Sequence, residues 1–222
     1  MAGAKVLIVE DHPIFRMGLR ELINQESGFE VCGEADDVAG ARKAIDTVEP
    51  DIAVVDLSLK NSNGMDLIKE LSAGDRHIPV VVLSMHDEEV YAERCLQAGA
   101  KGYIMKQEAS LSVVKAIRSV LAGNCYVSER VMTQVINRLQ RDDEPVRGSP
   151  LDILTDRELE VFQLLGKGLT SGDIAKRLNL SVKTVGTYRE RIKDKLGFKR
   201  CGELVRIAVL WTENRDPEDP RR

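Results

Sequence analysis

Along the first 122 residues, short β-branched and aliphatic runs alternate with longer stretches whose apolar positions recur every three to four residues. The runs are KVLIVE (5–10), FEVCGE (29–34), DIAVVD (51–56), IPVVVLS (78–84) and KGYIM (101–105). A strand buried on both faces is nearly continuous in apolar residues, and each amphipathic stretch between two such runs supplies a crossover helix. The alternation therefore predicts an α/β doubly wound, five-stranded parallel sheet.

After residue 123 the pattern changes. SERVMTQVINRLQ (128–140) reads as a connecting helix, and RDDEPVRGSPLD (141–152) has the charge, Pro and Gly of a hinge. The rest is helical. Thr155 with Glu158 and Thr170 with Asp173 fit the box in which a hydroxyl and an acid three residues on satisfy free amides, and Ser181 is placed to cap a third helix. Gly197, after Leu196, is placed to stop that helix in a left-handed conformation. Boundaries follow: 1–123 for the α/β domain, 124–150 for linker helix and hinge, 151–213 for a small all-α domain, and 214–222 for a polar tail.

Charge sharpens the division. Residues 1–150 carry 17 Lys and Arg against 24 Asp and Glu, whereas 151–222 carry 15 against 12. Residues 176–200 alone hold nine bases and two acids, so an anionic partner is expected there. No apolar run approaches the roughly 18 residues of a membrane span, and MAGAKVLIVEDHP has no signal-peptide cleavage site. The cysteines at 32, 95, 125 and 201 lack C-x-x-C spacing and read as reduced thiols of a cytoplasmic protein.

In doubly wound sheets, ligands bind beyond the carboxyl ends of the strands. Those ends carry Glu10 and Asp11 after the first run, Asp56 closing the third, Ser84 closing the fourth and Lys106 just past the fifth. Carboxylates of like charge repel and need a counter-charge; Mg²⁺ suits one or two of them with waters and a phosphate. Lys106 and the Ser84 hydroxyl are then donors to anionic oxygens, a set suited to phosphoryl transfer. His12 and His86 flank the site without metal-ligand spacing and are expected to be peripheral. Gly64 and Gly99 read as turn residues, and no phosphate-cradling G-x-x-x-x-G-K loop is present.

The set Glu10-Asp11, Asp56, Ser84, Tyr103 and Lys106 resembles the flavodoxin-like receiver domain of two-component response regulators, over about residues 4–123. The resemblance implies that Asp56 accepts phosphate from a sensor histidine kinase. It further implies that Glu10, Asp11, Asp56 and the backbone carbonyl of Ser58 hold Mg²⁺, that Ser84 and Tyr103 switch, and that Lys106 contacts the phosphoryl group.

TSGDIAKRLNLSVKTVGTYRERIKDKLG holds two helices joined by a turn of helix-turn-helix length. Steps of 100° put Val185, Tyr188, Ile192 and Leu196 on a core-facing side, with Lys183, Thr187, Glu190 and Asp194 pointing away and Gly186 and Arg191 on the flanks. From LTDRELEVFQLLGKG onward this region resembles the LuxR-type output domain of NarL/FixJ response regulators, over about 151–213. The expected DNA-binding residues are Lys183, Thr184, Gly186, Thr187, Tyr188, Arg189, Arg191 and Lys193, with Arg189 and Lys193 nearer phosphates. Glu190 either accepts from a cytosine or tempers the charge. In the resembled family the last helix pairs two output domains; here it brings Leu204, Ile207, Ala208 and Trp211, which otherwise simply close the four-helix core.

The expectation is a DNA-binding transcriptional response regulator, phosphorylated on Asp56 and homodimeric on phosphorylation or on double-stranded promoter DNA, with RNA polymerase as a further candidate partner. Catalysis beyond slow self-dephosphorylation is not expected. Two rivals stand beside it. One is a Mg²⁺ phosphohydrolase, for which Asp56-Leu57-Ser58 lacks a second acid; the other is a first domain that works unphosphorylated as a protein-interaction module.

Overall fold

The structure, a computed structural model, describes residues 3–59, 62–74, 76–139 and 150–213. Most of the hinge expected at 141–152, and the tail expected at 214–222, lie outside the described residues. The chain divides into two compact units, Met1–Glu144 and Pro145–Arg222.

The first unit is the expected doubly wound sheet. Strands β1 (Ala4–Val9), β2 (Phe29–Ala35), β3 (Ile52–Asp56), β4 (Val80–Ser84) and β5 (Gly102–Met105) are all parallel, in the order β2-β1-β3-β4-β5. Helices α1 (Pro13–Asn24), α2 (Val38–Val48), α3 (Gly64–Ala73), α4 (Glu88–Gln97) and α5 (Ala109–Leu121) connect and cover them. Their starts are written locally. Pro13 opens α1, where its missing N–H costs nothing, while Asp37, Asn63 and Asp87 cap α2, α3 and α4 by accepting from Gly40, Met65 and Glu89 amides. Alternate strand residues bury against opposite helical layers. Val6, Ile8, Val54, Val81, Leu83 and Ile104 join Leu19 and Ile23 of α1 and Val113 and Ile117 of α5 in one core.

Register then sets the site. Asp56 pairs with Leu83 and Ser84 with Met105, so the last residues of β3 and β4 emerge at the same sheet edge. Gly64, expected to be a turn residue, is instead the first residue of α3, where a Cβ would lie 2.1 Å from the Asp56 carbonyl oxygen. No side chain fits there. Two further features were not expected. The chain after α5 returns beside β5, with Tyr103 N–H donating to Tyr126 O and Tyr126 N–H to Lys101 O. The connecting helix α6 (Glu129–Leu139) docks on α4, through Ser128 Oγ to Glu88 at 2.9 Å, Gln134 Nε2 to Glu89 O at 3.3 Å and an Arg130–Glu89 ion pair.

The second unit is all-α, with α7 (Asp156–Gly166), α8 (Ser171–Arg177), α9 (Val182–Leu196) and α10 (Cys201–Glu213) after a 3-10 turn at Pro150–Ile153. Both capping boxes form as their spacing predicts, Ser181 caps α9, and Gly197 ends it at φ +73°. No helix among the described residues is long and apolar enough to cross a membrane.

Candidate functional site

Asp56 is 1% exposed and Glu10 likewise, an unusual pair of carboxylates to withdraw from water. One ammonium serves both: Lys106 Nζ lies 2.9 Å from Asp56 Oδ2 and 2.7 Å from Glu10 Oε2, and it also sits over the Phe15 ring. The other Asp56 oxygen, Oδ1, accepts the Ser58 N–H at 3.1 Å. Burial pushes the Asp56 carboxyl up to about 6, with Glu10 adding to the rise and Lys106 opposing it. For Lys106, burial works to lower the pKa, but the two carboxylates outweigh it and hold the ammonium above its ordinary value. The pocket is short of positive charge.

Asp11 completes the acidic group, and ligand atoms of Glu10, Asp11, His12 and Asp56 all lie within 4.8 Å of one another. Buried Asp11 Oδ1 and Glu10 Oε2 lack a hydrogen-bond partner of acceptable geometry, although Glu10 Oε2 is ion-paired with Lys106. Such oxygens fit a hard dication.

Ser84 and Tyr103, expected to form a switch pair, sit on β4 and β5. Ser84 is fully buried and its Oγ accepts the His86 N–H at 2.9 Å. Tyr103 is turned inward, 2% exposed, and its hydroxyl donates to the His86 carbonyl at 2.9 Å. Burial raises Tyr103 well above the ordinary phenol range, with a side-chain hydrogen bond to Ser84 opposing. Ser84, His86 and Tyr103 therefore form one network behind Asp56.

The two histidines expected at the periphery are not peripheral. His86 stacks on Tyr91 with ring centroids 4.6 Å apart and places Nε2 2.8 Å from Ser58 Oγ. His12 turns Nδ1 toward Glu10 Oε1 at 3.0 Å and Asp11 Oδ1 at 2.7 Å. Both lie in loops beyond strand ends, where no periodicity tells which way a side chain points. The one available signal was adjacency: His12 follows the acid pair and His86 lies two residues past Ser84.

In the second unit, Val185 and Ile192 are fully buried, while Tyr188 and Leu196 are half-buried at the edges of the same face. Lys183, Thr187 and Arg191 are exposed. Thr184 is half-buried, its hydroxyl 2.8 Å from Ser181 Oγ. A Cβ on Gly186 would meet nothing, so packing within the unit does not require glycine there. Arg189 donates to Ser171 Oγ of α8 at 2.7 Å, bracing α9 on α8, and Lys193 pairs with Glu190.

The helix expected to pair output domains spends part of its apolar surface inside its own unit. Leu204 and Ala208 are fully buried within the unit, because α10 packs on α7, where Trp211 meets Phe162 edge to face at 5.8 Å. Ile207 and Leu210 are the exposed apolar side chains of α10.

Comparison with known proteins covers both units. Residues 6–118 match the response regulator receiver domain and 152–208 the bacterial regulatory proteins of the luxR family. Oxygen regulatory protein NreC of Staphylococcus epidermidis is 33% identical over 210 residues, covering 92% of this chain and 96% of that protein. Response regulator UvrY of Escherichia coli is 32% identical over 204 residues, covering 92% and 93%. Among solved structures, RcsB from Salmonella enterica serovar Typhimurium, bound to promoter DNA in the presence of the phosphomimetic BeF3−, superposes with TM-score 0.57 and 25% identity over 93% of this chain and 99% of that one.

Proposed function

Since the chain belongs to the NarL/FixJ family of response regulators, transcriptional regulators that join a receiver domain to a LuxR-type DNA-binding domain, we propose that Asp56 is its phospho-acceptor and α9 its DNA-reading helix. The observation that carries the first part is the single Lys106 ammonium stretched between two buried carboxylates. A pocket so short of cation favours a further positive charge, and a divalent ion bound there would offset an incoming phosphoryl group.

The donor is the phosphohistidine of a sensor kinase. An Asp56 carboxylate oxygen attacks phosphorus, the N–P bond breaks, the imidazole leaves with the electron pair, and an acyl phosphate remains on Asp56. Without a metal, burial holds the Asp56 carboxyl at about 6, so it is already ionised at neutral pH, as a nucleophile must be. Lys106, already 2.9 Å from Oδ2, neutralises the phosphoryl oxygens. Glu10, Asp11, Asp56 and the Ser58 carbonyl would hold Mg²⁺, which would offset charge on the carboxylates and the transferring phosphoryl group.

Phosphorylation adds about 1.5 to 2 negative charges in place of one carboxylate. Ser84 is a buried hydroxyl at the end of the strand beside that of Asp56, and turning its proton toward a phosphoryl oxygen takes it from Tyr103, whose own bond holds the His86 carbonyl. The β4–α4 loop is thereby loosened or reset, and with it α4, which carries α6. That route supports phosphorylation-controlled dimerisation and promoter binding.

On DNA, the exposed Lys183, Thr187 and Arg191 face base edges, Arg189 and Lys193 lie nearer phosphates, and Thr184, Gly186 and Tyr188 complete the part of α9 that approaches the duplex. The protein works in the cytoplasm as a homodimer on promoter DNA. Two measurements test the reading. With acetyl phosphate and Mg²⁺, intact-mass spectrometry should find one added phosphoryl group, and Asp56→Ala should abolish it; labelling of the variant at another acid rejects Asp56. DNA affinity should fall steeply with salt as bases release counterions, and a flat response rejects α9 as the reader.

A further inference from the structure

The start of α9 spends its hydroxyls on itself. Ser181 Oγ caps the helix by accepting the Thr184 N–H at 3.0 Å, and it lies 2.8 Å from Thr184 Oγ1. Thr187 Oγ1 donates to the Lys183 carbonyl at 3.1 Å. A hydroxyl has one proton to give, so that of Thr187 is already committed to the helix.

What the same stretch turns outward is apolar or bare. Val182, the first residue of α9, is 57% exposed. Gly186, one turn on, has no side chain, and a Cβ built there would meet nothing. Thr187 is exposed, and with its proton spent it has a methyl group and an accepting oxygen left to offer. Residues four apart stand one above the other on a helix, so Val182 aligns with Gly186 and Lys183 with Thr187. Of these four residues, the exposed Lys183 is left as the one donor to a ligand.

A helix-turn-helix sets the first turns of its second helix against base edges in the major groove. An apolar surface has one favourable partner there, the C5 methyl of thymine; polar base edges would lose water against it without a bond in return. We propose that Val182 and the Thr187 methyl read thymine through its C5 methyl group, with Lys183 beside them supplying the donor for a guanine edge. Bare backbone at Gly186 lets the helix come close enough for two short side chains to reach the bases. The inference deepens the reading of α9 as the DNA-contacting helix and rests on it.

The test uses the full chain, treated with acetyl phosphate and Mg²⁺, and a duplex that it selects from a random-sequence pool. Each thymine of that duplex is replaced in turn by deoxyuridine, which keeps the pairing edge and O4 but lacks the methyl, and binding is followed by fluorescence anisotropy. The expected result is at least one thymine whose replacement weakens binding about fourfold, the worth of one buried methyl. At that position Val182→Ala or Thr187→Ser should bind the thymine duplex about fourfold more weakly and no longer distinguish thymine from uracil. Both substitutions fall on exposed positions, and Thr187→Ser keeps the hydroxyl that bonds Lys183; circular dichroism checks that the helices are retained. If every replacement leaves affinity within twofold, the inference is overturned while α9 remains the reader. A methyl preference that survives in both variants overturns it as well. If the pool yields no preferred sequence, or Lys183→Ala and Arg191→Ala bind the selected duplex as tightly as the wild type, α9 is not the reader and the inference falls with that assignment.

Discussion

Two buried carboxylates, one in each unit, are each bonded to a lysine and yet held in opposite electrostatic conditions. Asp56 is 1% exposed and Glu158 is 2% exposed; Lys106 lies 2.9 Å from the first and Lys195 2.7 Å from the second. But Asp56 shares its lysine with Glu10, and burial drives it up to about 6. For Glu158 burial also works upward, yet the Lys195 ammonium and the Thr155 bonds outweigh it and hold the carboxyl below the ordinary range. Glu158 is busy: besides Lys195 it accepts the Thr155 N–H at 2.8 Å and so starts α7. The difference separates a carboxylate that the fold uses up from one that the fold keeps in need of a cation.

Deleting each lysine is the strongest way to break this contrast. Lys106→Met leaves two buried acids without their ammonium and should destabilise the first unit by about 3 kcal/mol at pH 7.5 in EDTA, with part recovered on adding Mg²⁺. Lys195→Met should cost about 1 kcal/mol or less in the second, because Lys195 is 37% exposed and Thr155 still holds the carboxylate. Urea unfolding can follow both at once: Trp211, the single tryptophan, reports the second unit, and resolved backbone amide resonances report the first. Equal losses would erase the distinction.

Neutralising the acids comes next. Asp56→Asn removes a buried charge and should stabilise the first unit by about 2 kcal/mol at pH 7.5 without metal. The gain has a defined pH window. Because the folded pKa of Asp56 is raised to about 6, above the ordinary value of about 3.9, the folded state holds a proton that the unfolded chain has released. The wild-type first unit therefore loses stability relative to Asp56→Asn as pH rises through that interval, and the gap should shrink below about pH 4. Glu158→Gln should act the other way, costing about 1 kcal/mol in the second unit. Its depressed pKa places that contribution above the ordinary glutamate value of about 4.3, and it should fade as pH falls through the folded pKa. Titrating the Trp211-detected midpoint in both proteins measures it. The smallest change is Gly186→Ala, for which open space and better helix propensity predict about 0.5–1 kcal/mol of added stability; affinity for promoter DNA should nevertheless fall where the bare backbone approaches the duplex.

Much of this was open to inspection in the residues themselves, for a physical reason. Parallel strands are buried on both faces, so their runs are apolar and their ends abrupt. One rule about carboxyl ends then collects Glu10, Asp56, Ser84 and Lys106; ion pairs join Glu10, Asp56 and Lys106, and Ser84 closes the strand next to that of Asp56. Loop side chains obey no such rule, and His12 and His86 face inward by virtue of hydrogen bonds to Glu10 and Ser58 that no spacing encodes. The same holds for α6, whose seat on α4 depends on Glu88 and Glu89. As sequence, these are merely acids in a first helical turn, where they favour the dipole. In α10 the apolar residues were visible but not their allocation, since a helix apolar around much of its girth can turn Leu204 and Ala208 inward and leave Ile207 and Leu210 outside.

Gly64 sets a mechanical condition on everything that happens at Asp56. The first residue of α3 runs so close to the Asp56 carbonyl that a Cβ there would lie 2.1 Å from its oxygen. If Asp56 takes up a phosphoryl group as proposed, the backbone packed behind it acts as an anvil, and the load falls on the Ser84, His86 and Tyr103 bonds.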